Sequence, residues 1–252
     1  MLSKAKIKYI QSLKIKKKRR EERAFVAEGP KLVDDLLRNF SCDLLLASRE
    51  WIIAHPEIRA DEIIEVSHEE LAKASFQKTP QEVLAVFGQK EYTWDASLPS
   101  RALCLALDDI QDPGNLGTII RLADWFGIEH ICCSSNTVDV YNPKTVQASM
   151  GGLARVKLYY GSLIEFVSSL SNVPVYGTFL NGENIYQQPL SENGLIIMGN
   201  EGNGISHNLE KLVTKRLYIP NFPLGHETSE SLNVAVATAI VCAEFRRQVL
   251  CL

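Results

Sequence analysis

The stretch ALCLALDDIQDPGNLGTIIRLADWFGI (residues 102–128) decides the fold class of this chain. Its first nine residues form an apolar run typical of a buried strand, and the residues after Asn115 have helical periodicity. The Pro-Gly pair at 113–114 fits a type II turn, which leaves Asn115 to cap the helix. Gly117 lets another group approach the first helical turn closely, and Arg121 lies four residues on, on the same helix face.

Strand and helix signals alternate downstream of this stretch. Such alternation is typical of an α/β fold, with a parallel sheet and helices on both of its faces. Ligands of such sheets bind at the carboxyl ends of strands, so we expect the chemistry in the loops after Leu107, Phe179, Met198 and Pro220. The signals are strands at 131–134, 156–160, 175–179, 195–198 and 217–220, and helices at 162–171, 205–213 and 232–248.

The first half of the chain alternates in the same way and predicts a second, smaller α/β domain. A helical pattern covers 31–39, and Ser67 with Glu70 forms a capping box that opens another helix. Residues 89–100 lose periodicity and contain polar breakers, which predicts a linker. We therefore predict one domain over 1–97 and a larger one over 98–252. The strand signals of the first half are at 24–30, 42–48, 63–66 and 83–88.

Composition narrows the class of protein. The chain has 252 residues, 46% hydrophobic and 23% charged, which is an ordinary globular profile. It has no apolar run of the roughly 18 residues that span a bilayer, and the N-terminal residues lack the apolar region of a secretory signal. Six cysteines without a C-x-x-C spacing predict buried free thiols in a reducing compartment. We therefore expect a cytoplasmic protein without a membrane partner.

The net charge of −3 hides an asymmetry. Residues 1–23 contain ten Lys and Arg against two Glu, a net of +8, so the rest of the chain carries −11. A basic arm on an acidic body indicates binding of a polyanion. The alternative is a frayed, solvated tail, and the charges alone do not choose between RNA and DNA.

Common catalytic motifs do not occur in the sequence. There is no G-x-x-x-x-G-K-[ST] of a P-loop, no G-x-G-x-x-G, no G-x-S-x-G and no H-E-x-x-H. The five histidines are scattered without the spacing of metal ligands, so we expect no metal.

Two further segments are not explained by local structure alone. IIMGNEGNGIS (196–206) runs from a buried strand into three glycines around Glu201, which suits a ligand lying against bare backbone. YIPNFPLGHETSESLNVAVATAI (218–240) joins a short strand to a helix rich in small residues, which allows close packing against the sheet or a second subunit.

Taken together, N-x-G-T-I-I-R, M-G-N-E-G-x-G and I-P…S-L-N-V-A-V-A resemble the three signature segments of the SpoU class of the SPOUT superfamily. These proteins are S-adenosylmethionine-dependent RNA ribose 2′-O-methyltransferases. The resemblance covers about residues 102 to 248. FVAEGPKLVDDLL (25–37) is more weakly similar to the small L30e-like ribosomal-protein domain that precedes the catalytic domain in many members.

The resemblance implies a fold, a cofactor and an assembly. The fold is an α/β domain whose C-terminal segment forms a trefoil knot, and the family acts as a homodimer. S-adenosylmethionine would bind in the knot. Backbone near Gly199, Ile219 and Leu232 would meet its ends, and the pocket would also be lined by Thr178, Phe179, Met198, Glu201, Ser231 and Asn233.

The resemblance also implies the catalytic groups. Arg121 matches the arginine that is often described as the general base, but a guanidinium keeps its proton in proteins. Arg121 would therefore pair with the adjacent phosphate to position the ribose hydroxyl, or stabilise its developing charge. Asn115 and Glu201 would orient Arg121 or the ribose. Ser149, in ASMGG (148–152), matches a substrate-side polar position.

Three functions stay open at this point. The first is methylation of a ribose in rRNA or tRNA. The second is a non-catalytic RNA-binding homologue, which would have no need of Asn115, Arg121, Glu201 and Asn233 together. The third is base methylation, whose enzymes lack N-x-G-T-I-I-R. The stretch 221–230, with His226 and Glu227, is longer than in the simplest members and leaves the shape of the cofactor loop open.

Overall fold

The computed structural model of the chain describes residues 2–223 and 231–250. It divides into two compact units: Met1–Glu91 with Asp139–Arg155, and Tyr92–Val138 with Val156–Leu252. The sequence patterns place Asp139–Arg155 in the larger domain, whereas in the structure this segment packs with the N-terminal residues. The predicted domain boundary between residues 97 and 98 stays a prediction.

Up to Glu91 the described chain forms five helices and four strands. The first two helices lie in the basic arm, where the sequence patterns predict no element. These elements are α1 (Lys4–Ser12), α2 (Lys16–Glu22), β1 (Ala24–Glu28), α3 (Pro30–Leu37), β2 (Cys42–Ala47), α4 (Arg49–Ala54), β3 (Ile63–Glu65), α5 (His68–Ala74) and β4 (Val83–Gly88).

From Tyr92 onward, six helices and six strands follow among the described residues. These are α6 (Leu98–Arg101), β5 (Leu103–Leu107), α7 (Pro113–Trp125), β6 (His130–Ser134), α8 (Pro143–Ala148), β7 (Lys157–Gly161), α9 (Leu163–Ser168), β8 (Val175–Asn184), β9 (Gly194–Met198), α10 (His207–Glu210), β10 (Lys215–Tyr218) and α11 (Val234–Leu250).

The first unit is built on a mixed four-stranded sheet in the order β1-β4-β2-β3. Strand β4 is antiparallel to both β1 and β2, and only β2 and β3 are parallel. The predicted capping box opens α5: Ser67 accepts from the backbone N–H of Glu70, and Glu70 accepts from that of Ser67. Helix α8 packs against β1, so the unit combines two distant parts of the chain.

The basic arm is part of the core of the first unit. Ile10 and Leu13 are fully buried in one apolar cluster with residues of α5 and the sheet. The side-chain amide of Gln11 donates to the backbone oxygens of Ala74 and Ser75 at 2.9 and 3.1 Å. The alternative of a frayed tail is therefore wrong, because the few apolar side chains of the arm pack into the core of the unit.

The second unit contains a six-stranded sheet in the order β10-β8-β9-β5-β6-β7. All five strand pairs are parallel, as the sequence pattern predicts. The central strands β5 and β9 are buried at every position, because helices cover both faces of a sheet of this kind. Helix α11 packs against α7.

Among the predicted elements, two differ most in length from the structure. Strand β8 does not end at Phe179 but continues to Asn184 and pairs with β10 through a register shift after Arg216. It can pass β10 this closely because Gly182 lacks a side chain: a Cβ there would lie 2.5 Å from the carbonyl carbon of Leu217. The helix predicted over 205–213 is only the four residues of α10.

Two predictions from composition can be compared with the described residues. No helix among them is long and apolar enough to cross a membrane. Five of the six cysteines are described, and all five are free and buried, as predicted. Burial raises the pKa of the Cys104 and Cys242 thiols to about 12, so both stay protonated and unreactive.

Candidate active site

A cleft of about 740 Å³ opens beside β8, β9 and β10 in the second unit. It lies at the carboxyl ends of β9 and β10, where parallel sheets bind their ligands. Its volume is within the range of small-molecule sites. It is lined by eight of the residues that the sequence predicts for the site: Thr178, Phe179, Met198, Gly199, Glu201, Ile219, Ser231 and Leu232.

Three predicted polar residues meet at one edge of this cleft. Oε1 of Glu201 accepts a hydrogen bond from Nδ2 of Asn115 and one from Nδ2 of Asn233, each at 2.8 Å. It also accepts from the backbone N–H of Val234 at 3.1 Å, at the start of α11. Asn233 further donates to Oδ1 of Asn115 at 3.0 Å. The carboxylate therefore joins three chain segments that lie up to 118 residues apart.

Asn115 reaches this carboxylate because it does not cap helix α7. The cap is Asp112, whose side chain accepts from the backbone N–H of Asn115 at 2.8 Å. The helix begins at Pro113, a favoured first position, so Asn115 lies in the first turn with its amide free to bond elsewhere. The predicted type II turn with Asn115 as the cap is therefore wrong.

The loop that carries Glu201 is held by its neighbour Asn200. The Nδ2 of Asn200 donates to the backbone oxygen of Asp109 at 2.9 Å, beyond the end of β5. Its Oδ1 accepts from the backbone N–H of Gly202 at 2.9 Å and of Asn203 at 3.1 Å. Gly199 is required because a Cβ there would lie 2.3 Å from the backbone of Gly204. The carboxylate is thus presented by a closed, hydrogen-bonded turn.

The lining of the cleft also contains a cation that no sequence pattern predicts. The guanidinium of Arg216 lies 3.7 Å from the centre of the Phe179 ring, within the range of a cation–π contact. It also donates to Glu210 at 2.6 Å and to Asn181 at 2.7 Å. All four residues line the cleft. No local pattern signals this group, since strand pairing between β8 and β10 creates it.

Arg121 is not part of the Glu201 cluster. Its side chain is exposed on α7 and makes no hydrogen bond or ion pair with the residues that the structure describes. It does not line the cleft. Its predicted catalytic role stays a prediction.

Ser149 differs from its predicted environment. It lies at the end of α8 in the first unit, is fully buried, and donates its hydroxyl to the backbone oxygen of Val146 at 2.7 Å. Ser149 is thus the C-cap residue of α8, and its buried hydroxyl is not accessible to a substrate. Of the long loop 221–230, the residues 224–230, which include His226 and Glu227, lie outside the described residues.

The described residues contain no cluster of histidine, cysteine or acidic side chains that could hold a metal ion. The polar groups at the cleft are the Arg216 guanidinium and carboxylates, amides and hydroxyls, which hydrogen-bond to each other and to the backbone. What the arrangement offers is an oriented carboxylate beside a partly apolar cleft.

Comparison with protein families identifies the class. The model of the SpoU rRNA methylase family matches residues 102–243, which is more than half of the chain. An MRM3-like substrate-binding domain matches residues 4–85. The chain belongs to the SpoU rRNA methylase family.

Individual relatives agree with this assignment. The 23S rRNA (guanosine(2553)-2′-O)-methyltransferase RlmP of Bacillus subtilis is 32% identical, over 96% of this chain and 96% of its own length. A protein of the TrmH family of RNA methyltransferases from Porphyromonas gingivalis is 40% identical, with a TM-score of 0.90 over 98% of this chain and 99% of that one. An AdoMet-bound rRNA methyltransferase from Sinorhizobium meliloti is 29% identical, with a TM-score of 0.82 over 99% and 97% of the two chains.

Proposed function

We propose that this protein transfers a methyl group from S-adenosylmethionine to a ribose 2′-hydroxyl of rRNA or tRNA. The observation that carries the proposal is the Glu201 carboxylate, held by Asn115 and Asn233 at the edge of a cleft of cofactor size. The Bacillus subtilis relative is a 23S rRNA (guanosine(2553)-2′-O)-methyltransferase, which supports the ribose 2′-oxygen of rRNA as the acceptor.

The lining of the cleft fits S-adenosylmethionine. Phe179, Ile219 and Leu232 offer apolar surface for adenine, and the hydroxyls of Thr178 and Ser231 lie in the same cleft to bond polar groups. When bound, the cofactor supplies an activated methyl group whose leaving group is a neutral thioether, so the proposal requires no metal.

The residues around Glu201 would orient the reacting groups. The side-chain amides of Asn115 and Asn233 already donate to Oε1 of Glu201. The carboxylate would therefore keep one orientation during the reaction. Such preorganisation places a substrate hydroxyl or a cation at a defined distance from the cleft.

Arg121 would act on the RNA. Since its guanidinium is exposed and without a partner among the described residues, it is available to a phosphate or to the developing charge on the 2′-oxygen. A guanidinium keeps its proton, so another group accepts the proton of the hydroxyl. Arg121 would act either by positioning the ribose through its phosphate or by stabilising the developing charge directly.

The proposal includes the finer features that the family resemblance implies. These are a trefoil knot formed by the C-terminal segment, a homodimer and a cytoplasmic location. Trp125 on α7 and Val236 on α11 are 82% and 50% exposed, and such apolar side chains are suited to a second subunit. The match to a substrate-binding domain supports an L30e-like first domain that selects the RNA.

The test is methyl transfer from labelled S-adenosylmethionine to total unmodified RNA, followed by digestion to nucleosides. We expect label in a 2′-O-methylated nucleoside, and at least about a hundredfold slower transfer by Arg121→Ala, which is the scale of losing a key charge-stabilising group. Lys211→Ala, which removes another exposed cation of the second unit, is the matched control.

Other outcomes of this test are informative. Label on a base would keep the cofactor and overturn the ribose chemistry. If calorimetry shows cofactor binding but no RNA is labelled, the RNA either lacks the substrate or is bound without turnover, and crosslinking to find the bound RNA separates the two.

A further inference from the structure

Three exposed lysines of the first unit come from three distant chain segments. Lys14 lies between α1 and α2, Lys78 follows α5, and Lys144 lies in the first turn of α8. None of them forms an ion pair with the residues that the structure describes. Lys14, Lys78 and Lys144 together are called the lysine surface.

Contacts between the three segments bring these lysines to one region of the unit. The ammonium of Lys14 lies 4.8 Å from the centre of the Phe76 ring, two residues before Lys78. The side-chain amide of Gln77 donates to that of Gln147 at 3.0 Å. Gln147 lies one turn after Lys144 on the same face of α8. Residues 76–78 therefore form a bridge between the arm and α8.

A buried arginine fixes the arm end of this surface. Arg19 is 1% exposed and donates to the backbone oxygens of Leu13 and Lys14 at 2.9 and 2.8 Å. It also pairs with Asp139 at 2.6 Å, just before α8. Arg19 thus ties the turn that carries Lys14 to the segment that precedes α8 and Lys144, so the backbone at these two lysines is not part of a loose tail.

We propose that the lysine surface binds the phosphate backbone of the substrate RNA, an inference that rests on the proposed function of the chain. Unpaired ammonium groups at fixed positions bind phosphates through release of counterions. The amides of Gln77 and Gln147, which lie between the lysines, add hydrogen-bond donors for sugar and phosphate oxygens. The site extends beyond the basic arm, because two of its three cations lie outside residues 1–23.

The experiment compares two triple variants with the same loss of charge. One is Lys14→Gln, Lys78→Gln, Lys144→Gln. The control variant is Lys31→Gln, Arg49→Gln, Lys90→Gln, which removes three exposed cations of the same unit. Lys90 matches Lys14 in lying over an aromatic ring, because its ammonium is 5.0 Å from the centre of the Phe40 ring. The probe is a fluorescein-labelled 30-nucleotide single-stranded RNA of mixed sequence, titrated by anisotropy at several salt concentrations.

We expect the lysine-surface variant to bind the RNA at least about tenfold more weakly and to lower the salt slope by roughly 2, since each lost contact to single-stranded RNA removes about 0.7 from the slope. The control variant should keep the wild-type slope. Single replacements of Lys78 and of Lys144 should each weaken RNA binding about as much as replacement of Lys14. If only the basic arm bound RNA, the replacements of Lys78 and Lys144 would have no effect.

Equal losses in both triple variants would overturn the proposal, because they would show a diffuse charge effect. Wild-type binding by the lysine-surface variant would overturn it as well. Cofactor binding by calorimetry and thermal unfolding are measured on the same proteins. If the proposed methyl transfer is wrong, the calorimetry of cofactor binding or the transfer assay shows it. Neither measurement depends on whether RNA binds the lysine surface.

Discussion

The two units differ in how closely their functional groups follow the order of the chain. In the second unit, all strands are parallel and the cleft lies where β9 and β10 end, so the signature loops meet at one edge. In the first unit, the sheet is mixed and its basic surface is assembled by helix packing from residues 14 to 144. Sequence motifs therefore locate the cleft of the second unit far better than the basic surface of the first unit.

The largest expected effect lies in the second unit, at Glu201. The replacement Glu201→Gln removes the negative charge of the carboxylate, whose Oε1 accepts hydrogen bonds from three N–H groups. It also places a side-chain amide next to the amide donors of Asn115 and Asn233. We expect methyl transfer to slow by about a hundredfold or more, as for loss of a preorganised electrostatic group. Glu192→Gln, on an exposed carboxylate of the same unit, should transfer at the wild-type rate. An active Glu201→Gln enzyme would show that the carboxylate is structural.

The next largest effect is expected in the first unit, where replacement of Arg19 should lower the free energy of unfolding. Replacing it with Met leaves Asp139 without its partner and two backbone oxygens without donors. We expect unfolding free energy to fall by about 3 kcal/mol, the usual cost of breaking a buried ion pair on one side. Urea unfolding measures this change, with Arg20→Met, an exposed neighbour, as the control. A cost equal to that of the control would mean that the arm does not depend on Arg19.

The smallest expected effects are pH dependences, and they have opposite signs in the two units. Burial, with a smaller contribution from Lys157, lowers the pKa of His130 in the second unit. The folded state then binds fewer protons than the unfolded one, so stability falls as the pH drops below about 6.5. Burial raises the pKa of Glu28 in the first unit, so its contribution is present at acid pH and is lost as the pH rises through that raised value.

Thermal unfolding from pH 4 to 8 checks both signs. His130→Asn should flatten the loss of stability between pH 7 and 5, and Glu28→Gln should remove the gain on acidification above its usual pKa. Unchanged profiles in the variants would assign the pH dependence to other groups.

The sequence patterns predict most of the second unit correctly because its elements are long, apolar and separated by clear turns. The strands β6, β7 and β9 lie within one residue of the predicted ranges, and β5 begins one residue later and ends three residues earlier than predicted. The helices α1, α2, α4 and α8 are missed, since each is short and becomes stable only by packing. Asn115 is predicted at the site but with the wrong local role, because both Asp112 and Asn115 are good capping residues.

The sequence alone determines the class of this protein, since the signature segments that contain Asn115, Glu201 and Asn233 define the family by their order along the chain. Only the tertiary structure decides that these three side chains share one carboxylate oxygen, that Arg216 covers Phe179, and that the basic arm is part of a core. The physical reason is that motifs reflect local backbone requirements, whereas hydrogen bonds between distant segments depend on how whole elements pack.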